Sequence, residues 1–302
     1  MKKDPLVSIV MNCYNGENFL VDSIKSIISQ TYQNWELIFW DNRSTDNSAS
    51  IVKKFKDKRI KYFYAEKHTL LYEARSLAIN KSVGEFIAFL DVDDWWIKEK
   101  LEVQVPYFDN HKIGLIHSNF YRVDQIISKT FINYKNDLPS GKVTNHLLKD
   151  YRVGWLTVII RKKAYNSLID KFNGNYNIIG DFDLNIRLSI EWEFLYLKDV
   201  LAYCRWHGKN LQIIESNLHL KELQCWLAEN EKNLYLSKLN GFKFFKNNLN
   251  RMHSISMAKN GLNKDAYKSL KHFKGFFYKI IIITIIIMPN KFINYLLKKF
   301  FN

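Results

Sequence analysis

The first 110 residues alternate short apolar runs with segments of helical period, and this rhythm constrains the fold more than any other feature. "LVSIVM" (Leu6 to Met11) has strand length and ends in the turn-prone "NCYNG". The next segment places Phe19, Leu20, Ile24, Ile27 and Ile28 on one helical face. "ELIFW" (Glu36 to Trp40) predicts a second strand, closed by "DNRSTDNS", in which Ser44, Thr45 or Asp46 can cap a helix from Asn47 to Phe55. "IKYFYA" makes a third strand. A helix from Tyr72 to Lys81 leads to a fourth, "EFIAFL", and Asp94 is placed to cap a helix from Trp95 to Phe108. Such an order implies an α/β fold with a mostly parallel sheet and helices on both faces. Ligands of such sheets bind beyond the carboxyl ends of the strands. Three of those ends are polar here: Cys13 to Glu17, Asp41 to Ser44, and Asp91 to Asp94.

From Gly114 the rhythm changes. "GLIHSNFYRV" and "KTFINY" read as a hairpin, "WLTVIIRKKAY" as a strand running into a helix, and "GDFDLNIRLSI" as the opening of another helix. No low-complexity linker intervenes. We therefore divide the chain into one domain over 1–215, with halves 1–110 and 111–215, and a basic helical region over 216–302. Three widely spaced cysteines, Cys13, Cys204 and Cys225, exclude a disulfide framework or a zinc knuckle and fit a reducing cytosol. The apolar run near the N-terminus is broken by Asn12 and lacks a small-residue cleavage site, so no export signal is expected.

Asp91, Asp93 and Asp94 set three carboxylates within four positions, directly after the apolar "FIAFL". Like charges so close repel unless a cation lies among them. A Mg²⁺ or Mn²⁺ ion held by one or two carboxylates and substrate phosphates answers that need, whereas helix capping accounts for one aspartate only.

The ordered motifs "SIVMNCYNG", "DNRSTDNS", "EARSLAINKSVGEFIAFLDVDD" and "GDFDLNIRLS" resemble those of family 2 glycosyltransferases over roughly residues 5 to 210. The resemblance implies the GT-A fold, a Rossmann-like mixed sheet flanked by helices, and an inverting transfer from a nucleoside-diphosphate sugar, UDP- or dTDP-linked. It assigns donor binding to Cys13, Tyr14, Asn15 and Glu17, with Tyr14 lying either against the base or in the packing. It gives Asp41 the base, with a turn-stabilising role as the alternative, Arg75 the base or a phosphate, with a solvated surface charge as the alternative, and Asp91 the ribose. Asp93 becomes a ligand of a divalent metal (Mn²⁺ or Mg²⁺). His207, in "YCRWHGKNLQ", completes the metal shell or meets the diphosphate. Asp181 matches the family's catalytic base, and a purely structural N-cap is the competing role. Asp183 and Arg187, four residues apart, suit a local ion pair. Trp95, Trp96 and Trp155 are candidates either for sugar stacking or for the core. The chain departs from the family pattern at Asn42, Arg43, Ser76 and Gly180. A non-catalytic nucleotide-sugar-binding or membrane-scaffold protein is the alternative those departures suggest.

The formal charge of +15 is lopsided. From Lys232 to Asn302 there are 14 Lys or Arg and a single carboxylate, Asp265. "FFYKIIIITIIIMP" is too short to span a bilayer, but "NKFINYLLKKFFN" sets an apolar face against lysines, as an interfacial helix on an anionic membrane does. With no nucleic-acid motif present, the expected partners are the sugar donor, a glycan or lipid-linked acceptor, and an anionic membrane surface rather than nucleic acid. The expected location is the cytoplasmic, inner face of the cell membrane.

Overall fold

A computed structural model describes residues 4–208, 210–211 and 215–259. The chain divides into two compact units, Met1–Glu215 and Ser216–Asn302. In the first, β1 (Val7–Cys13), β2 (Trp35–Asp41), β3 (Ile60–Tyr64) and β4 (Phe86–Phe89) form a parallel half-sheet in the order β3-β2-β1-β4. Strand β1 is buried along nearly its whole length, which explains why its sequence is a continuous apolar run rather than an alternation.

The two faces of this half-sheet serve different ends. Val7, Ile9, Met11 and Cys13 join Leu37, Phe39, Ala88 and the apolar side of α1 (Leu20–Ile28) in the main core. The intervening residues, among them Ser8, Asn12, Glu36 and Trp40, occupy the opposite face by the two-residue period of a strand, and α3 (Leu71–Ile79) packs on β1 and β2. Buried Glu36 accepts from Ser8 Oγ at 2.5 Å, from the Val83 N–H at 2.8 Å and from Lys61 Nζ at 2.6 Å. Burial alone would raise its pKa, but these donors hold it below the usual carboxylate range. The ionised group therefore contributes stability above the unfolded-state value of about 4.3, lost as pH falls through the lower folded value. Glu36→Gln is expected to lower the thermal midpoint at pH 7, and the difference from wild type should shrink as denaturation is followed to acid pH by circular dichroism.

The sheet continues as β8 (Ile159–Arg161), β6 (Ile113–Asp124), β9 (Glu193–Trp206) and β5 (Trp95–Trp96), with β7 (Lys129–Ile132) hairpinned onto β6. Pairing is antiparallel at β4–β8, β8–β6 and β9–β5 and parallel at β6–β9, so the whole sheet is mixed. The helix expected from Trp95 is not there. Trp95 stacks on Tyr203 with ring centres 5.0 Å apart, and Trp96 Nε1 donates to the Leu156 carbonyl at 2.7 Å, so tertiary pairing with β9 overrides the local helical pattern. Helix α4 begins only at Lys100 and ends at Gln104, where a 3₁₀ turn containing Pro106 takes over. The N-cap of α2 (Ser48–Lys54) is Asn47 rather than Ser44, Thr45 or Asp46, although Asp46 Oδ1 accepts the Ser48 N–H at 3.0 Å.

Among the described residues this unit also contains the helices α5 (Thr144–Leu147), α6 (Lys162–Ser167) and α7 (Gly180–Glu191). The second unit, within its described residues, contains α8 (Ser216–Asn230) and α9 (Asn240–Lys259), where buried Trp226 meets Phe242 and Phe245 with ring centres 6.2 and 5.3 Å away. Among the described residues no helix is long and apolar enough to cross a membrane. The apolar run 276–289 and the amphipathic segment after it lie outside the described residues.

Candidate active site

The polar carboxyl ends of β1 and β2 are laced to each other. Asn15, with φ of 54°, accepts through Oδ1 from the Thr45 N–H at 2.8 Å, and its own N–H donates to Ser44 Oγ at 3.1 Å. Glu17 Oε2 accepts from the N–H and the side-chain amide of Asn47 at 3.0 and 2.8 Å. Asp46 Oδ2 returns the contact by accepting the Glu17 N–H at 3.0 Å. Cys13 is buried beneath this lacing with Sγ 3.8 Å from Ser44 Oγ, and burial pushes its thiol pKa up. In this structure the polar atoms of Cys13, Asn15 and Glu17 hold two loops in register.

Asp41 ends β2, where the second of these loops begins. It is 0% exposed; Oδ1 accepts from the Ser44 N–H at 2.7 Å and Oδ2 from the Tyr62 hydroxyl at 2.7 Å. It therefore braces the turn. Neighbouring Asn42 uses its amide in both senses, donating to the Thr69 carbonyl at 2.8 Å and accepting the Thr69 N–H at 3.2 Å. An ionised aspartate cannot donate, which explains the departure at position 42. Arg43, with φ of 72°, lies over the Tyr64 ring at 5.1 Å. Tyr14 is exposed, as is Tyr64, and its ring lies 4.4 Å from that of His68 at a 54° tilt. His68 Nδ1 is 2.9 Å from the Asn42 carbonyl, which can only accept, so Nδ1 carries the proton.

The three aspartates after β4 have become chemically distinct. Asp91 accepts from Arg75 at 2.6 Å; Arg75 is buried in α3 with its guanidinium over the rings of Tyr72 and Trp155 at 4.9 and 5.4 Å. Asp93 Oδ2 lies 3.2 Å from His207 Nε2, and His207 stacks on Phe19 with ring centres 5.0 Å apart. Burial and the charge of Asp91 raise the Asp93 pKa, and His207 pulls it back. Asp94 is buried and accepts the Arg205 N–H at 2.9 Å; burial and the charges of Asp93 and Asp91 push its pKa well up. Arg205 pins the same turn, donating through Nε to the Asp93 carbonyl at 2.9 Å and to Asp22 at 3.0 Å, with Phe19 and Trp95 near its guanidinium at 4.9 and 4.7 Å.

Among the described residues no group of three or more His, Cys, Asp or Glu gathers as a metal cage. The adjacent oxygen and imidazole donors of Asp93 and His207, in a turn crowded with like charge, fit a divalent ion whose remaining positions are filled by phosphate or water. Trp96 and Trp155 are core residues, whereas Trp95 is half-buried between Tyr203 and Arg205.

Asp181 lies in the first turn of α7, whose N-cap is Ile179, so Asp181 is not the cap. Its Oδ1 accepts from the Tyr72 hydroxyl at 2.9 Å and its Oδ2 from the Tyr151 hydroxyl at 3.0 Å. Burial raises its pKa; the two hydroxyls and the Arg75 charge oppose the rise. Asp183 and Arg187 form the expected ion pair at 2.6 Å. The departure at Gly180 has a steric cause, because a Cβ there would lie 2.3 to 2.7 Å from carbons of the buried Tyr72 ring. Gly180→Ala is expected to cost about 1–3 kcal/mol by overpacking, read as a lowered thermal midpoint.

Tyr72, Tyr151, His68 and Arg205 were not singled out from the sequence. Arg205 had a signal in "YCRWHG"; the two tyrosines had none, because their partner is more than a hundred residues away for one and thirty for the other.

A parallel half-sheet with acidic and basic groups at its carboxyl edge, extended by antiparallel strands, is the GT-A fold. The model of the family described as glycosyl transferase family 2 matches residues 8–179, and the chain belongs to that family. It is 39% identical over 163 residues to the Escherichia coli UDP-Glc:alpha-D-GlcNAc-diphosphoundecaprenol beta-1,3-glucosyltransferase WfgD, a match covering 54% of this chain and 63% of that protein. It is 30% identical over 161 residues to the putative teichuronic acid biosynthesis glycosyltransferase TuaG of Bacillus subtilis, covering 53% of this chain and 63% of TuaG. The chain thus spans under two thirds of these relatives. Among solved structures, S. aureus TarS 1–349 in complex with UDP-GlcNAc superposes with a TM-score of 0.61 at 17% identity, covering 80% of this chain and 71% of that one. The mannosyltransferase PcManGT of Pyrobaculum calidifontis, in complex with GDP-Man and Mn²⁺, superposes with a TM-score of 0.62 at 12% identity, covering 94% and 80%.

Proposed function

We propose that the chain is an inverting, metal-dependent glycosyltransferase that moves a sugar from a UDP- or dTDP-linked donor to a hydroxyl of a lipid-linked or polysaccharide acceptor. The observation that carries this reading is that one helix, α3, holds both halves of the chemistry: Arg75 is bonded to Asp91, and Tyr72 to Asp181. In this reading Tyr14 and His68 flank the base, and guanidinium N–H groups of Arg75 not used by Asp91 meet phosphate oxygens. A divalent ion held by Asp93 and His207 would offset charge developing on the departing diphosphate. Asp181, a carboxylate with a raised pKa, takes the proton from the attacking acceptor hydroxyl.

The donor and acceptor classes rest on relatives. WfgD is named for UDP-Glc and a diphosphoundecaprenol-linked acceptor, and TarS was solved with UDP-GlcNAc. A membrane-borne acceptor also suits the basic, amphipathic C-terminal sequence, and truncation after Lys274 is expected to move the protein from the membrane to the soluble fraction. The testing experiment is thermal stabilisation of the full chain by UDP, dTDP and GDP with Mn²⁺, Mg²⁺ or EDTA, followed by transfer from UDP-glucose and UDP-GlcNAc to a synthetic GlcNAc-diphospholipid. Stabilisation of about 2.7 kcal/mol is expected at a hundredfold excess of UDP over its Kd, and only with metal present. Equal stabilisation with EDTA would remove the metal from the proposal, and none with any nucleotide would remove the donor.

A further inference from the structure

We propose that Tyr72 is the positioning residue for Asp181, and that Gly180 is the vacancy in the sequence that lets it reach. This inference rests on Asp181 being the catalytic base.

Tyr72 begins the buried face of α3, and its hydroxyl lies 2.9 Å from Asp181 Oδ1 and 3.2 Å from the Ile178 carbonyl. One hydroxyl proton serves two acceptors, of which the carboxylate is the nearer and the charged one. To lie there the ring must pass over position 180, where no side chain larger than hydrogen fits. The space beside position 180 is thus filled by a ring arriving from another helix.

Tyr151 mirrors the arrangement. Asn185 Nδ2 donates to the Tyr151 hydroxyl oxygen at 2.8 Å, which directs the Tyr151 proton toward Asp181 Oδ2. The charged and titratable groups that face Asp181 are Tyr72 and Arg75 from α3 and Tyr151 from the loop after α5. Both carboxylate oxygens are engaged, so the carboxylate plane is set and the acceptor proton must arrive at a remaining lone pair. Arg75, over the Tyr72 ring at 4.9 Å, ties that setting to the helix that also meets Asp91. The base is therefore held from both halves of the domain, by Tyr72 from the first and Tyr151 from the second.

Tyr72→Phe removes the hydroxyl and keeps the ring against Gly180 and Arg75, so the packing is retained. The hydrogen bond favours ionised Asp181, so its loss makes the carboxyl harder to ionise. The Asp181 carboxyl carbon, assigned by its disappearance in Asp181→Asn, is expected to titrate about one pH unit higher in Tyr72→Phe than in wild type by ¹³C NMR of the full chain. In transfer from UDP-glucose to the GlcNAc-diphospholipid, the acid limb of the kcat profile should move the same way, with donor KM within about twofold. A role in packing alone moves neither curve. An unchanged Asp181 titration in folded Tyr72→Phe overturns the inference even where Asp181→Asn is inactive. Transfer at the wild-type rate by Asp181→Asn overturns the base itself, and this inference with it.

Discussion

Asp181→Asn is expected to lower transfer by about 10²–10⁴-fold, the usual contribution of a positioned general base, while nucleotide affinity stays within about twofold. The amide nearly matches the carboxylate in shape, so its partners Tyr72 and Tyr151 can stay in place, but it cannot take a proton from the acceptor. Removing the charge also relieves the burial that raises the Asp181 pKa, so the variant should be at least as stable as wild type. Loss of transfer by a stable, nucleotide-binding protein is thus the expected signature. Acceptor transfer must be the readout, because hydrolysis substitutes water for the group that the base serves. In wild type, activity should fall on the acid side as Asp181 protonates, with the limb displaced upward from the ordinary aspartate value, the direction in which burial moves its pKa.

Asp93→Ala is expected to abolish the metal-dependent part of UDP binding and to lower transfer by about 10²–10³-fold, the scale of losing one fixed stabiliser of developing charge. The neighbouring aspartates provide the contrast. Asp94 is buried against the Arg205 N–H, so Asp94→Ala should act on stability, leaving an orphaned buried donor at a cost of about 1–3 kcal/mol. Asp91→Ala leaves the buried Arg75 guanidinium without its carboxylate and should weaken nucleotide binding with or without metal. Titrations of UDP against each variant, with Mn²⁺ and with EDTA, separate the three. Metal-dependent affinity surviving intact in Asp93→Ala would contradict the assignment of Asp93 as metal ligand.

The strands of the donor half and the ordering of its polar turns could be read directly, because β1, β2 and β4 are short apolar runs bounded by polar turns. The pairing of Trp95–Trp96 with β9 could not, since a two-residue strand has no period of its own and owes its geometry to Tyr203 and Ala202, more than a hundred positions away. The motif residues came out unequally for a similar reason. Asp91 and Arg75, read as separate donor contacts, are bonded to each other, whereas Cys13, Asn15, Glu17 and Asp41 lie in the same turns with their polar atoms turned toward the protein. Sequence position locates a turn; it does not say which way a side chain points within it.

The sequence by itself determined the family and the α/β character of the donor half, and it singled out Asp93 and Asp181, on which the proposed chemistry turns, because these are written in local patterns of apolar runs and charged turns. Only the tertiary structure decided which groups hold those carboxylates. Tyr72 and Tyr151 meet Asp181, and Arg205 and His207 meet the aspartate turn, across separations of 30 to 114 residues. The glycine that departs from the family pattern at position 180 leaves, in three dimensions, the space occupied by a tyrosine ring. A steric demand of that kind belongs to a pair of residues, and the pair exists only after the chain has folded.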